Sequence, residues 1–190
     1  MIYYILAVAG GLAAVSLLAI LIYLRRRRRG NLDPLLHAVS VESLHDILLP
    51  DHMGGEIHLQ HVLLTAKGLI VLDVKTVRGT VYGGDRLDEW TVIDHARRFT
   101  FPNPQPALYD RVAALKSVAK DMPVTGYILF LEKAEFTKGR PADVIFPDEL
   151  QARYIKPEKV ELERLMEAFY PHWEQVQAVS ESLPQAVNPV

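Results

Sequence analysis

One stretch of the chain, at residues 68–75, reads Gly68-Leu69-Ile70-Val71-Leu72-Asp73-Val74-Lys75. Its aliphatic residues follow one another from position 69 to position 72, and glycines lie at position 68 and again at position 79. That pattern is typical of a β-strand bounded by turn residues. Near-continuous apolar strands belong to sheets that are covered on both faces. We therefore predict that residues 68–75 form a central strand of a covered sheet.

Two charged residues stand at the end of this predicted strand. Asp73 and Lys75 are two positions apart, so their side chains point to the same face. A carboxylate beside an ammonium suits a hydrolytic site in which the carboxylate binds Mg²⁺ and the ammonium orients an attacking water. The alternative is a strand that runs out into solvent and ends in two exposed charges. The tripeptide alone leaves both interpretations open.

The chain begins with an apolar segment followed by five consecutive arginines. Residues 2–24 carry no charge, and 23 helical residues extend ~34 Å, enough to cross a hydrocarbon core of ~30 Å. No basic residue precedes the segment, whereas Arg25–Arg29 follow it, a pattern that favours a retained anchor over a cleaved signal peptide. By the positive-inside rule, the N-terminus is expected outside and the rest of the chain in the cytoplasm. We predict a single-pass protein of the cytoplasmic (inner) membrane.

These observations divide the chain into four predicted regions. They are a transmembrane helix at residues 1–24, a basic juxtamembrane linker at 25–37, a cytoplasmic domain at 38–178 and a flexible tail at 179–190. The chain has no cysteine, which excludes disulfides, thiolate zinc sites and cysteine nucleophiles.

The charge distribution bears on the partners of the chain. Arg25–Arg29 are expected to contact anionic lipid head groups, at ~1 kcal/mol per residue. Without these five, the chain's 21 basic residues fall to 16 against 23 acidic residues, a balance near −7. So acidic a domain does not favour tight binding to a polyanion, although nucleic acid remains a possible partner.

The remaining pattern predicts a mixed α/β fold. We expect a helix at residues 35–49, or a shorter one capped by Ser40, followed by strands at 57–65 and 78–82. The strand at 57–65 should form an antiparallel hairpin with the central strand, and the strand at 78–82 should pair on its far side. A short strand is expected at 90–93, a helix at 107–120, strands at 124–131 and 143–146, and a helix that starts at Pro157 and is interrupted at Pro171. The predicted fold is a small mixed β-sheet sandwiched by helices.

An ordered set of motifs resembles the nuclease-related domain family, known as NERD, over residues 38–131. The motifs read Gln60-His61, Gly68, Asp73-Val74-Lys75, Gly79-Thr80-Val81-Tyr82-Gly83, Trp90 and Phe101-Pro102-Asn103-Pro104. The resemblance implies a fold similar to the restriction endonucleases and a site that uses Mg²⁺ or Mn²⁺ to hydrolyse phosphodiester bonds. It assigns catalytic roles to the positions of Asp73, Lys75 and Gln60, and a metal ligand to Asp73.

Two departures from the family pattern concern the metal. Gln60 stands where the family carries a metal-binding Asp, and the acid of the first helix is missing, with Glu42 and Asp46 only loose substitutes. A neutral amide can coordinate a cation through its oxygen but supplies no charge to hold Mg²⁺. Glu56, four residues before Gln60, is the candidate replacement ligand. Two hypotheses follow: a nucleic-acid-related or scaffold module with a degenerate metal site, or an active Mg²⁺- or Mn²⁺-dependent nuclease.

Overall fold

A computed structural model of the chain describes residues 32–51, 54–95 and 97–182. The chain divides into two compact units, residues 1–35 and residues 36–190. The predicted transmembrane helix at 1–24, the arginine run and the end of the predicted tail, residues 183–190, lie outside the described residues. None of the helices within the described ranges is long and apolar enough to cross a membrane.

Four helices and nine strands make up the described part of the chain. The helices are α1 (Leu32–Val39), α2 (Gln105–Val118), α3 (Pro147–Arg153) and α4 (Lys159–Ser182). The strands are β1 (Glu42–Pro50), β2 (Glu56–Thr65), β3 (Gly68–Lys75), β4 (Gly79–Tyr82), β5 (Glu89–Asp94), β6 (Arg97–Pro102), β7 (Val124–Phe130), β8 (Ala134–Phe136) and β9 (Val144–Ile145). The mixed α/β class is confirmed, but there are two sheets instead of the single predicted one.

The first sheet has the order β1-β2-β3-β7-β9, so β3 is central as predicted. β2 and β3 form the expected antiparallel hairpin, with Thr65 opposite Gly68. β3 and β7 run parallel, with Asp73 opposite Ile128. The residues of β3 from Gly68 to Leu72 are all buried, which confirms that the strand is covered on both faces.

Helix α2 packs on one face of this sheet through a glycine of β7. A Cβ at Gly126 would lie 2.6 Å from Val112 and 3.0 Å from Leu108, both on α2. Gly126 is opposite Val71 of β3, so the helix lies on the face that carries the odd-numbered side chains of β3. Asp73 and Lys75 share that face.

The predicted helix at residues 35–49 is wrong beyond Val39. α1 ends there, and Ser40 closes it: the Ser40 hydroxyl donates to the Leu36 carbonyl at 2.7 Å instead of capping a second helix. Residues 42–50 form β1, which pairs antiparallel with β2 from Glu42 opposite Leu64 to Pro50 opposite Glu56. The local pattern of these residues is compatible with a helix, but hydrogen bonding to the neighbouring strand β2 makes them a strand.

The predicted pairing of residues 78–82 with β3 is also wrong. β7 occupies that side of β3, and β4 begins a second sheet of order β6-β5-β4-β8. Gly79 makes the change of direction with a φ of 105°, a left-handed conformation that favours glycine. Its N–H donates to the Lys133 carbonyl at 3.1 Å, which ties the start of β4 to the chain before β8.

The last helix differs from its prediction at both ends. α4 begins at Lys159, not at Pro157, and Val160 in its first turn is 80% exposed. Pro171 lies inside the helix, which continues to Ser182 without the predicted interruption. Met166, Trp173 and Val176 are buried in the core.

Candidate functional site

Asp73 lies near the carboxyl end of β3, on the face covered by α2. Its side chain is 13% exposed, and its Oδ1 accepts a hydrogen bond from Lys75 Nζ at 2.9 Å. The acid and the amine therefore meet on one face as predicted. They form an ion pair in a largely covered position instead of two exposed charges.

A second cation, which the sequence did not reveal, completes the environment of Asp73. Arg111 Nη1 of α2 lies 3.3 Å from Asp73 Oδ2, and Arg111 Nε donates to the His58 carbonyl of β2 at 2.8 Å. Both oxygens of the carboxylate thus have a cationic partner. Arg111 reaches Asp73 because α2 crosses over the sheet, and the sequence of the helix alone does not show this crossing.

Gln60 lies beside this cluster with its amide oxygen already engaged. Its Oε1 accepts the backbone N–H of Val74 at 2.8 Å. The direct pairing of β2 with β3 runs from Thr65 opposite Gly68 to His61 opposite Leu72, so it stops one residue short of Gln60. The side chain of Gln60 therefore supplies the acceptor that holds the next part of β3 against β2.

The candidate replacement acids lie farther along the strands. Glu56 is exposed at the start of β2, opposite Pro50, and four residues of strand separate it from Gln60 by ~13 Å. Asp46 has a φ of 51° and lies between His45 and Ile47, which pair with His61 and Leu59, so the β1–β2 ladder is interrupted opposite Gln60. Its carboxylate contacts His58 Nε2 at 3.2 Å.

These residues do not fit a Mg²⁺ or Mn²⁺ site well. Such ions are bound by several oxygen ligands, carboxylates foremost. Here Asp73 is flanked by two cations, and the Gln60 oxygen holds a backbone N–H. Within the described ranges, no three acidic, histidine or cysteine side chains come together to hold a metal ion. Binding of a metal by Asp73 and Glu56 stays a prediction.

The comparison with known families decides the affiliation of the chain. Residues 26–131, more than half of the 190, match the family described as the nuclease-related domain. The chain belongs to the nuclease-related domain family. It is also similar to an uncharacterised protein of Bacillus anthracis, with 22% identity over 131 residues that cover 66% of this chain and 60% of that protein. No solved structure matches it.

In this nuclease-related domain, the motif residues after Lys75 hold the second sheet and the start of α2. A Cβ at Gly83 would lie 2.8 Å from the ring of Trp90, so only glycine allows this approach. Trp90 Nε1 donates to the Gly84 carbonyl at 3.2 Å. Asn103 Nδ2 donates to the Leu87 carbonyl at 2.9 Å, and Asn103 Oδ1 accepts the N–H of Gln105 at 3.0 Å.

A polar cluster at the first turn of α2 was not predicted. Gln105 is 2% exposed, and its Nε2 donates to Asp85 Oδ1 at 2.8 Å and to Asp143 Oδ2 at 3.0 Å. The Tyr109 hydroxyl donates to the same Asp143 oxygen at 2.5 Å. This hydrogen bond, together with partial burial, raises the pKa of the Tyr109 phenol above its usual value. The three segments that meet here are far apart in sequence, so no local pattern could have grouped them.

Glu42, weighed as a loose substitute for the missing helix acid, has a different role. It lies on β1, where its Oε1 accepts from the Tyr170 hydroxyl at 2.5 Å and its Oε2 from Trp173 Nε1 at 2.6 Å. Both oxygens of this carboxylate thus bind donors of α4. Glu42 therefore connects α4 by two hydrogen bonds to β1, the edge strand of the first sheet.

Proposed function

We propose that this chain is a nuclease-related domain that has kept the family's fold and lost its metal-dependent cleavage. In this proposal it is a nucleic-acid-related or scaffold module. One observation carries the proposal: the Asp73 carboxylate is held between Lys75 Nζ at 2.9 Å and Arg111 Nη1 at 3.3 Å.

The electrostatics of this cluster oppose a divalent cation. One carboxylate and two cations give the cluster a net charge of +1, and a cation that approaches it meets like charge at short range. To bind Asp73, Mg²⁺ would have to displace at least one existing partner and give up part of its own hydration, which it does reluctantly. Gln60 adds no negative charge to offset either cost.

The same net charge favours an anionic group as the ligand of this face. Arg111 and Lys75 are 24% and 27% exposed, so each keeps part of its side chain accessible to solvent. Phosphate groups are bound by such side chains. The balance of −7 over the rest of the chain limits the affinity for a long polyanion, so we propose a weak or short-range contact.

An active nuclease is the second candidate. The close approach of Asp73 and Lys75 on one strand face favours it, because an acid-x-Lys pair is the part of the family site that this chain retains. In that case Mg²⁺ or Mn²⁺ would bind Asp73 together with Glu56 or another acid, and Lys75 would orient the attacking water.

We further propose that the domain is held at the inner face of a bacterial-type membrane. The support is the uncharged run at residues 2–24 and the five arginines that follow it. A binding module fixed in this way would act on ligands that come to the membrane surface.

Calorimetric titration of the whole purified chain with Mg²⁺ and Mn²⁺ separates the two candidates. We expect no saturable binding of either ion and no cleavage of single- or double-stranded nucleic acid in their presence. Saturable binding that disappears in Asp73→Asn, together with cleavage that depends on Lys75, would establish the nuclease instead.

A further inference from the structure

An exposed isoleucine stands among basic side chains at the end of the first sheet that is opposite to Asp73. Ile155, in the connection between α3 and α4, is 71% exposed. Lys156 follows it, Arg153 precedes it by two positions, and Lys67 of the β2–β3 turn lies against Arg153. We call these four residues the basic tip.

The basic tip is fixed by hydrogen bonds to the backbone. Lys67 Nζ donates to the Arg153 carbonyl at 2.8 Å, and Lys156 Nζ donates to the His37 carbonyl of α1 at 2.6 Å. Between them, Tyr154 is buried, with its hydroxyl 3.1 Å from that of Tyr127. The exposed position of Ile155 is therefore set by anchored neighbours on both sides.

The basic side chains of the tip lie outside the close ion pairs of the domain, and Glu149 acts on Arg153 only at longer range. None of the ion pairs found among the described residues includes Lys67, Arg153 or Lys156. Glu158 is the nearest acid that follows in sequence. Three cations around one exposed aliphatic side chain match a surface that is anionic outside and apolar beneath.

We propose that the basic tip docks on anionic lipid head groups, with Ile155 inserted among them. The inference rests on the proposed membrane attachment and adds the orientation of the domain to it. Only Gly30 and Asn31 separate Arg29 from the start of α1, and Lys156 is bonded to the last turn of that helix. Two linker residues and part of α1 are therefore all the chain that lies between the arginine run and the residue bonded to Lys156.

The overall charge of the domain makes the orientation selective. With a balance near −7, the domain as a whole is repelled by an anionic membrane. The basic tip has the attractive sign of charge, and it contacts α1, the first described element after the arginine run in sequence. Lys67 precedes Asp73 by six residues along the hairpin and β3, so docking would hold Asp73 up to ~20 Å farther from the lipid, accessible from the cytoplasm.

A single fluorescent label tests the docking, because the chain contains no cysteine of its own. Ile155→Cys is labelled with an environment-sensitive dye, and the full chain is incorporated into nanodiscs that carry a head-group quencher. One set of discs contains phosphatidylcholine alone and the other adds phosphatidylglycerol. We expect quenching with phosphatidylglycerol that is lost in phosphatidylcholine or at high salt. Phe99→Cys on β6, also exposed, is the matched label position and should stay unquenched in both.

The charged residues are tested by the double variant Lys67→Gln/Lys156→Gln in the Ile155→Cys background. Taking ~1 kcal/mol per basic residue, the ratio of docked to undocked chains should fall by about 30-fold. Arg97→Gln/Arg98→Gln, which removes two exposed cations of β6, should leave that ratio unchanged. Circular dichroism of each variant shows whether its fold is intact.

Each alternative outcome has its own signature. A chain that incorporates into discs but shows equal quenching at positions 155 and 99, or none at 155, overturns the docking and leaves the attachment standing. A chain that does not incorporate overturns the attachment and the docking with it. A label whose emission depends on the number of chains per disc, and not on lipid charge, assigns the basic tip to a contact between two copies and also overturns the proposal.

Discussion

The side-chain oxygen of Gln60 accepts the backbone N–H of Val74 at 2.8 Å, next to the point where β2 and β3 stop pairing directly. The resemblance to the family implies a metal-binding Asp at this position. In this chain Gln60 takes part in the backbone hydrogen bonding of the central strand. A substitution by Asp therefore changes both a structural hydrogen bond and the charge of the site, and these two effects must be separated.

Gln60→Asp should create or strengthen binding of Mg²⁺ or Mn²⁺. The new carboxylate would bring the charge of the Asp73, Lys75 and Arg111 cluster from +1 to zero, and a further acid, Asp46 of β1, contacts His58 two residues before position 60. Several carboxylate oxygens around one point are what these ions need. Calorimetric titration with Mn²⁺ measures the gain.

Gln60→Asn is the matched control for Gln60→Asp. Both side chains are one methylene shorter than glutamine and should lose the bond to Val74, at a cost of about 1 kcal/mol, but only Asp adds charge. If Gln60→Asp leaves the cation affinity unchanged in a folded protein, Gln60 does not occupy the family's metal position.

Asp73→Asn should destabilise the fold by about 3 kcal/mol, because it leaves Lys75 and Arg111 side by side without their shared counter-ion in a partly covered site. Urea unfolding at neutral pH measures the loss. Asp94→Asn is the control: Asp94 is 19% exposed, but its partners Arg97 and His95 are 84% and 88% exposed. That change should cost less than about 1 kcal/mol. Equal costs for the two variants would contradict a structural role of Asp73.

Glu42→Ala should destabilise the protein by roughly 3 kcal/mol or more. It removes the shared acceptor of Tyr170 and Trp173, and hydrogen bonds to a charged group contribute about 1.5–3 kcal/mol each. Tyr170→Phe, which removes one of the two bonds, should cost about half as much. Hydrogen exchange should show the loss concentrated in α4, whereas Glu174→Ala, an exposed acid beside Trp173, should leave α4 unaffected.

The hairpin around β3 was predictable because its determinants are local. Alternation places Asp73 and Lys75 on one face, and two residues between Thr65 and Gly68 permit little besides an antiparallel return. The burial of β3 followed from its apolar run. These features need no knowledge of the rest of the fold, and all of them are confirmed.

The errors arose where distant segments decide the local structure. β1 has leucines at positions 44 and 48, a spacing that also suits a helix, and only its pairing with β2 makes it a strand. β6 has almost no buried residue, so no alternation marked it. Arg111 reaches Asp73 because α2 crosses β7 at Gly126, a packing detail that no motif of α2 reveals.

The predicted orientation in the membrane can be tested by a fusion. A reporter attached after Val190 should behave as cytoplasmic, because Arg25–Arg29 are expected to hold that side of the span. Moving the five arginines ahead of Ile2 should invert or scramble insertion. Periplasmic activity of the reporter on the unaltered chain would overturn the orientation and, with it, the proposed access of Asp73 from the cytoplasm.

The contact between Tyr109 and Asp143 predicts a late-titrating phenol. The pKa of Tyr109 is raised first by its hydrogen bond to Asp143, then by partial burial, above the ordinary tyrosine value of about 10. Difference absorbance between the wild type and Tyr109→Phe should therefore show a phenolate that forms later than that of an exposed tyrosine. In Asp143→Asn the same difference titration should move back toward the ordinary value, whereas Asp148→Asn, which removes an exposed acid, should not move it.

Because the pKa of Tyr109 is raised in the folded state, the stability contributed by the Tyr109 hydroxyl is present in full below about pH 10 and is lost as the pH rises through the folded value. Tyr109→Phe should thus be less stable than the wild type at neutral pH, and the gap should close in strong alkali; a gap that widens there would contradict the assigned contact.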